Sequence, residues 1–225
     1  MLHAMFLGNC GCCLFDGNAA ILLDAPNGLH TVFDPVSDEL FDTMLAKQPP
    51  FDLLCAAFFT HRHSDHYNKK RLRTLQDAFP KLFVFSPSGA TGSGGVFTAD
   101  SFRVEYSAVH HSGTEFSDVP HVVYWISSGG KQIYFSGDAV WDKQTHLDIW
   151  NGRVPDAAIW NPNFINHPDS RELMQMCKTN ILCHLPIVSE DVLGVGRKAR
   201  SSAERYGDTI PSLTCITEYP TTVEL

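Results

Sequence analysis

Short apolar runs broken by turn residues dominate the first third of the chain. Residues 3–7, 12–15, 19–24 and 30–33 each read as strands, separated by Gly8-Asn9, Asp16-Gly17-Asn18 and Pro26-Asn27-Gly28. Asp-Gly-Asn between two apolar runs is a hairpin signal, because such residues accept the backbone angles of a tight turn. From residue 36 the period changes. Apolar residues at 36, 40, 41, 44 and 45 have helical spacing, Ser37 or Asp38 can cap the start, and Pro49-Pro50 ends the segment. Residues 53–59 are an unbroken apolar run of strand length, which predicts a strand buried on both faces.

The rest of the pattern predicts a helix over 68–79, a strand over 82–85 and a Ser/Gly-rich loop over 86–95. Strands follow at 102–109, 121–126 and 132–135, with Ser128-Gly129-Gly130 as the turn between the last two. The final part alternates: strand 157–160, helix 169–178, strand 180–184, helix 190–206, strand 213–216. No repeat or linker divides the halves. One α/β domain over residues 1–225 is expected, with two sheets inside and helices outside.

Composition narrows the class. The chain has 225 residues, 44% hydrophobic and 19% charged, which excludes a disordered or fibrous protein. A formal charge of −8 disfavours nucleic acid as a partner. No apolar stretch approaches the roughly 20 residues needed to span a bilayer, and the first residues lack the pattern of an export signal, so no membrane association is expected. Seven cysteines, an odd number scattered through apolar segments, read as free thiols in a reducing cytoplasm.

The chemistry concentrates in Thr60-His61-Arg62-His63-Ser64-Asp65-His66, directly after the buried run. In a chain of this composition H-x-H-x-D-H arises by chance in roughly one case in 500, so the motif is specific. Three imidazoles and a carboxylate within six residues suit a borderline metal such as zinc. A tight loop can aim His61 and His63 to one side and Asp65 and His66 to another, giving two adjacent sites. Further ligands must come from elsewhere, and three candidates stand at or just past strand ends: His110, Asp138 in Ser136-Gly137-Asp138, and His184.

The order His-x-His-x-Asp-His, His, Gly-Asp, His resembles the ligand series of the metallo-β-lactamase superfamily. Phe6-Leu7-Gly8 and Ala20-Ile21-Leu22-Leu23-Asp24 resemble its opening hairpin and first motif. The resemblance implies an αββα sandwich, two mixed sheets face to face with helices outside. It also implies that His61, His63 and His110 hold one metal, that Asp65, His66 and His184 hold the other, and that Asp138 bridges them. The first-motif acid is Asp24 or Asp34. Asp24 is favoured, because it follows the hairpin, and its expected role is to orient the ligand loop. Of the adjacent His110 and His111, which face opposite sides if extended, His110 matches the family position better; His111 is then a pocket or surface residue.

Weaker candidates follow. Asn161 and Asn163 come after a strand ending at the ligand edge and are expected in the pocket wall. Cys10, Cys12 and Cys13 read as apolar packing. Residues 194–200, with three basic side chains, are a solvated helix face or an anion spot near the pocket, the former being favoured. Gly92-Ser93-Gly94-Gly95 lacks the Lys-Ser/Thr of a phosphate-binding loop.

Two divalent ions, zinc foremost with manganese or iron as alternatives, would lower the pKa of a bridging water and polarise a substrate oxygen. Asp65 and Asp138 would orient the nucleophile and His184 would meet the leaving group. The expected activity is hydrolysis of a small ester, lactone, amide or phosphodiester, an anionic substrate included. Asp138 stands where true β-lactamases carry cysteine, and the length leaves no room for a nucleic-acid-binding domain. The rival readings are an iron-dependent redox enzyme on the same fold and a non-catalytic binding module.

Overall fold

The computed structural model describes residues 1–89 and 91–225. One sheet contains β1 (His3–Gly8), β2 (Gly11–Phe15), β3 (Ala20–Leu23), β4 (Leu54–Phe58), β5 (Phe83–Phe85) and β13 (Thr221–Glu224), in the spatial order β13-β1-β2-β3-β4-β5. The other contains β6 (Gly94–Ala99), β7 (Phe102–Ala108), β8 (Val122–Ser128), β9 (Lys131–Phe135), β10 (Ala157–Trp160), β11 (Thr179–Leu182) and β12 (Leu213–Cys215), in the order β12-β11-β10-β9-β8-β7-β6. Both sheets are mixed: β3-β4-β5 and β9-β10-β11-β12 run parallel, and the remaining pairs are antiparallel.

Strand alternation sorts the apolar residues into three layers of packing. Phe6, Leu14, Ile21 and Phe58 from the first sheet meet Val104, Tyr124, Ile133 and Ile159 from the second in the central core. Their neighbours Ala20, Leu22 and Ala57 point outward, beneath α1 (Asp38–Leu45) and α2 (Lys69–Ala78), which supply Phe41, Met44, Leu72 and Leu75. Trp125, Tyr134, Ala158 and Trp160 face the opposite way, under α3 (Lys143–Trp150), α4 (Pro162–Asn166), α5 (Pro168–Met176) and α6 (Val195–Tyr206). Strands covered on both faces read as unbroken apolar runs, which is why residues 53–59 carry no alternation. The result is the four-layer αββα sandwich.

Several elements depart from expectation. Residues 30–33 form no strand; the Val32 carbonyl instead accepts from Ile187 N at 2.9 Å, which ties this segment to the loop beyond β11. The loop expected over 86–95 gives way to β6 at Gly94, and its residue 90 lies outside the described residues. A Cβ on Gly95 would lie 2.6 Å from the Tyr106 ring, so glycine is what lets these strands pack. Helix α3 is additional, started by the Asp142 side chain accepting from Thr145 N. Helix α6 begins at Val195 and not at 190. All seven cysteines are free, and among the described residues no helix is long and apolar enough to cross a membrane.

Parallel strands collect their C-terminal ends at one edge, where open α/β sheets bind ligands. Here β4 delivers the 60–66 loop, β9 delivers Asp138, β10 delivers Asn161 and β11 delivers His184.

Candidate metal centre

Asp24 lies beneath the histidine loop with its carboxylate fully buried. Its Oδ1 accepts from Thr60 N at 2.6 Å, and its Oδ2 accepts from the Thr60 hydroxyl at 2.7 Å and sits 2.9 Å from His66 Nδ1. Asp34 is exposed. Asp24 therefore takes the orienting position, and its backbone at φ 47° is a conformation that Asp and Asn tolerate.

These contacts decide which nitrogen of each ring bears the proton. His66 Nδ1 donates to Asp24, which in the neutral ring leaves Nε2 as a bare lone pair. The Thr60 hydroxyl spends its proton on Asp24, so its oxygen accepts from His61 Nδ1 at 3.0 Å and His61 Nε2 is bare. His111 Nδ1 lies 2.6 Å from the Ser112 carbonyl, a pure acceptor, and its buried Nε2 has no hydrogen-bond partner among the described residues. Each bare nitrogen faces the same carboxylate. Asp138 Oδ2 is 3.2 Å from His66 Nε2, 3.7 Å from His111 Nε2 and 3.9 Å from His61 Nε2.

Two groups result. The donor atoms of His61, His63 and His111 lie within 4.8 Å of one another, and so do those of Asp65, His66, Asp138 and His184. Within the second group His66 Nε2 and His184 Nε2 are 3.0 Å apart, and Asp138 Oδ2 lies 3.1 Å from His184 Nε2. Lone pairs and carboxylates converging in a buried space repel unless positive charge lies among them. The donor set therefore fits cations, with nitrogen and oxygen donors of the kind zinc takes. Burial drags the His66 pKa down, yet Cys10, Asp138, Asp65 and Asp24 outweigh it and hold it well above the ordinary value. The surrounding negative charge favours either a second proton or a cation on His66, so its Nε2 is a bare lone pair only where a cation takes that proton's place. Burial opposes ionisation of Asp138, yet His184 and His66 keep its carboxyl well below the usual range. His61 is driven well below its ordinary value by burial and then by His66, so it stays a neutral donor.

The expectation for His110 is corrected. β7 ends at Ala108, so period-two alternation does not extend to 110 and 111. The His110 carbonyl accepts from Val140 N at 2.9 Å, and His111 forms a β-bridge with Ala139, beside Asp138. That pairing turns His111 into the cluster and leaves His110 exposed, along a separate cleft. Asn161 is buried: Nδ2 donates to the Gly137 carbonyl at 2.8 Å, holding the Asp138 loop, and Oδ1 caps α4 at Asn163 N. Both asparagines line the cavity above the cluster, of about 620 Å³.

Two further residues belong to the site. His121 Nε2 accepts from Asp138 N at 3.0 Å, so its proton sits on Nδ1, and burial keeps the ring neutral. Its position before an apolar strand gave it the look of a first strand residue; the clue available in sequence was a polar residue opening a run that is otherwise buried. Cys10 departs from purely apolar packing: its sulfur is 3.2 Å from His66 Nδ1 and 3.8 Å from Asp24 Oδ2, while burial keeps the thiol protonated. Cys12 and Cys13 do pack apolar, on opposite faces of β2.

Because Asp24 fixes His66, Asp24→Asn should weaken metal binding by about 10–100-fold, the range typical of outer-sphere partners. A metal titration on folded protein checks this, and wild-type affinity in the variant would remove Asp24 from the account.

Residues 14–181 match the family model of the beta-lactamase superfamily domain, and the chain belongs to that superfamily. Its fold is shared by the metallo-beta-lactamase fold protein YhfI from Bacillus subtilis, 14% identical, with a TM-score of 0.65 over 99% of this chain and 98% of that one. The metallo hydrolase Igni18 from Ignicoccus hospitalis is 14% identical with a TM-score of 0.60, over 100% and 99% of the two chains. CmlA, a diiron beta-hydroxylase from Streptomyces venezuelae, is 11% identical with a TM-score of 0.67, over all of this chain and 54% of its own. No protein of curated function matches the sequence significantly.

Proposed function

We propose that the protein is a hydrolase using two divalent cations, zinc foremost, on a small ester, lactone or phosphodiester. The observation that carries the reading is Asp138, whose Oδ2 lies 3.7 Å from His111 Nε2 and 3.1 Å from His184 Nε2, so that one carboxylate faces both donor groups. His61, His63 and His111 would hold one ion and Asp65, His66 and His184 the other, with Asp138 between them. A cation pair supplies a Lewis acid and lowers the pKa of bound water toward neutrality.

The chain's own residues do the rest. Asp24 and Thr60 fix the His61 and His66 tautomers so that bare nitrogens face inward. Asp65 and Asp138 present carboxylate oxygens that would orient a water by accepting its hydrogen bonds. His184 lines the cavity wall where a leaving group would depart, its ring held edge-on by Phe33 at 4.1 Å. His121 and Asn161 anchor the backbone on either side of Asp138. Seven free thiols support a cytoplasmic setting for this activity.

The test is a panel of p-nitrophenyl esters, lactones and phosphodiesters before and after dialysis against a chelator. Turnover should vanish with the metal and return with added zinc or manganese. Turnover indifferent to chelation, or oxygen consumption by ferrous-loaded protein with no hydrolysis of any panel member, would overturn the proposal.

A further inference from the structure

The cavity over the cluster carries information about what enters it. Its aromatic walls stand on the candidate ligands themselves: Phe33 meets His184 edge-on, and Phe116 packs at 4.9 Å against both His63 and His111. The loop after β11 presents Val192 and Leu193, which are 88% and 89% exposed although both border the cavity. Large aliphatic side chains held in water beside a concave site are an unmet apolar surface.

Charge points the same way. Among the described residues, no lysine or arginine lines the cavity, whereas Glu115 and Glu190 do. The basic segment at the start of α6 does not compensate. Asp191 already accepts from Gly196 N at 3.3 Å and Arg197 N at 2.7 Å, so a carboxylate of the chain occupies the helix N-terminus. Arg200 donates to the Pro186 carbonyl at 3.0 Å. An anionic substrate would meet carboxylates at the rim and no cationic side chain to receive the charge outside the metal centre.

We propose that the site selects an uncharged ester or lactone whose aliphatic acyl chain lies along Phe33, Phe116, Val192 and Leu193, and that it discriminates against phosphodiesters. The inference rests on the hydrolase reading and narrows it. In the reaction water adds to the acyl carbon and the acyl C–O bond breaks. The alcohol oxygen leaves with one proton of the water, and the acid product releases the other.

The experiment has two arms, both with the zinc-loaded full chain. In the first, kcat/KM is measured for p-nitrophenyl acetate, butyrate, hexanoate and octanoate and for bis(p-nitrophenyl) phosphate. In the second, the uncharged fluorophore N-phenyl-1-naphthylamine is titrated as a direct probe of the cavity. Both arms are repeated on Val192→Ser/Leu193→Ser, whose mutated positions are solvent-facing, with circular dichroism to confirm folding.

The expected result is a rise in kcat/KM of roughly tenfold or more from acetate to hexanoate, because each methylene leaving water favours binding. The phosphodiester should be slower than every ester, and the fluorophore should bind once per chain. The double variant should flatten the chain-length series and weaken the fluorophore. A flat wild-type series, or a phosphodiester faster than the esters, overturns the inference and leaves the hydrolase reading intact. No turnover of any compound, with fluorophore binding that the double variant loses, overturns the hydrolase reading while the cavity's preference stands.

Discussion

Asp138→Ala should lose turnover altogether and release metal from both donor groups. Its carboxylate faces four buried imidazole nitrogens of the cluster, with Oδ2 3.1 to 3.9 Å from His61, His66, His111 and His184. Removing it takes one negative charge from a place where two cations would have to sit close together, and Asp65 lies on one side only, 3.6 Å from His66 Nε2 and 3.5 Å from His184 Nε2. The loss should exceed the roughly 10–100-fold that outer-sphere partners command. Asp142, four residues on, caps α3 and lies at the surface, so Asp142→Ala should keep its metal and its activity. Metal content after gel filtration, read beside activity, checks both; an Asp138→Ala protein with normal metal and turnover would refute the role given to this carboxylate.

The second large effect separates two adjacent histidines. His111→Ala removes one of the three imidazoles of the first donor group, so that group should lose its ion while the group holding His66 and His184 keeps its own. His110→Ala removes an exposed ring outside the cluster and should retain both ions. A paired zinc titration under identical conditions decides. Should His110→Ala be the variant that loses metal, the β-bridge between His111 and Ala139 does not represent the working geometry.

The histidine loop was readable from sequence because its motif is improbable and follows a run too apolar to be anything but a buried strand. Asp138 and His184 were readable for a related reason, since they stand three and two residues past strands that the apolar pattern marks plainly. The choice between His110 and His111 was not readable. It depends on where β7 ends and on pairing with Val140 and Ala139, thirty residues away, which local pattern does not encode. His121 was hidden for a similar reason, because its partner is a backbone N–H 17 residues further on.

The fold shows the same division. Strands covered on both faces announce themselves, whereas β13, with two threonines and a glutamate, pairs only with β1 at the sheet edge and gives a weak signal. Residues 30–33 have strand-like composition and no strand, because Val32 and Phe33 serve as cavity wall instead of pairing within a sheet. Residues 194–200 read as a helix face or an anion spot, and Asp191 at the α6 N-terminus supports the helix face.

The central claim is that this cluster is a dinuclear metal centre, and anomalous scattering from crystals grown with zinc tests it most directly. The account predicts two peaks per chain, one bounded by His61, His63 and His111, the other by Asp65, His66 and His184, with Asp138 touching both. A single peak, or none at the His61 to His66 loop in metal-replete crystals, would contradict it.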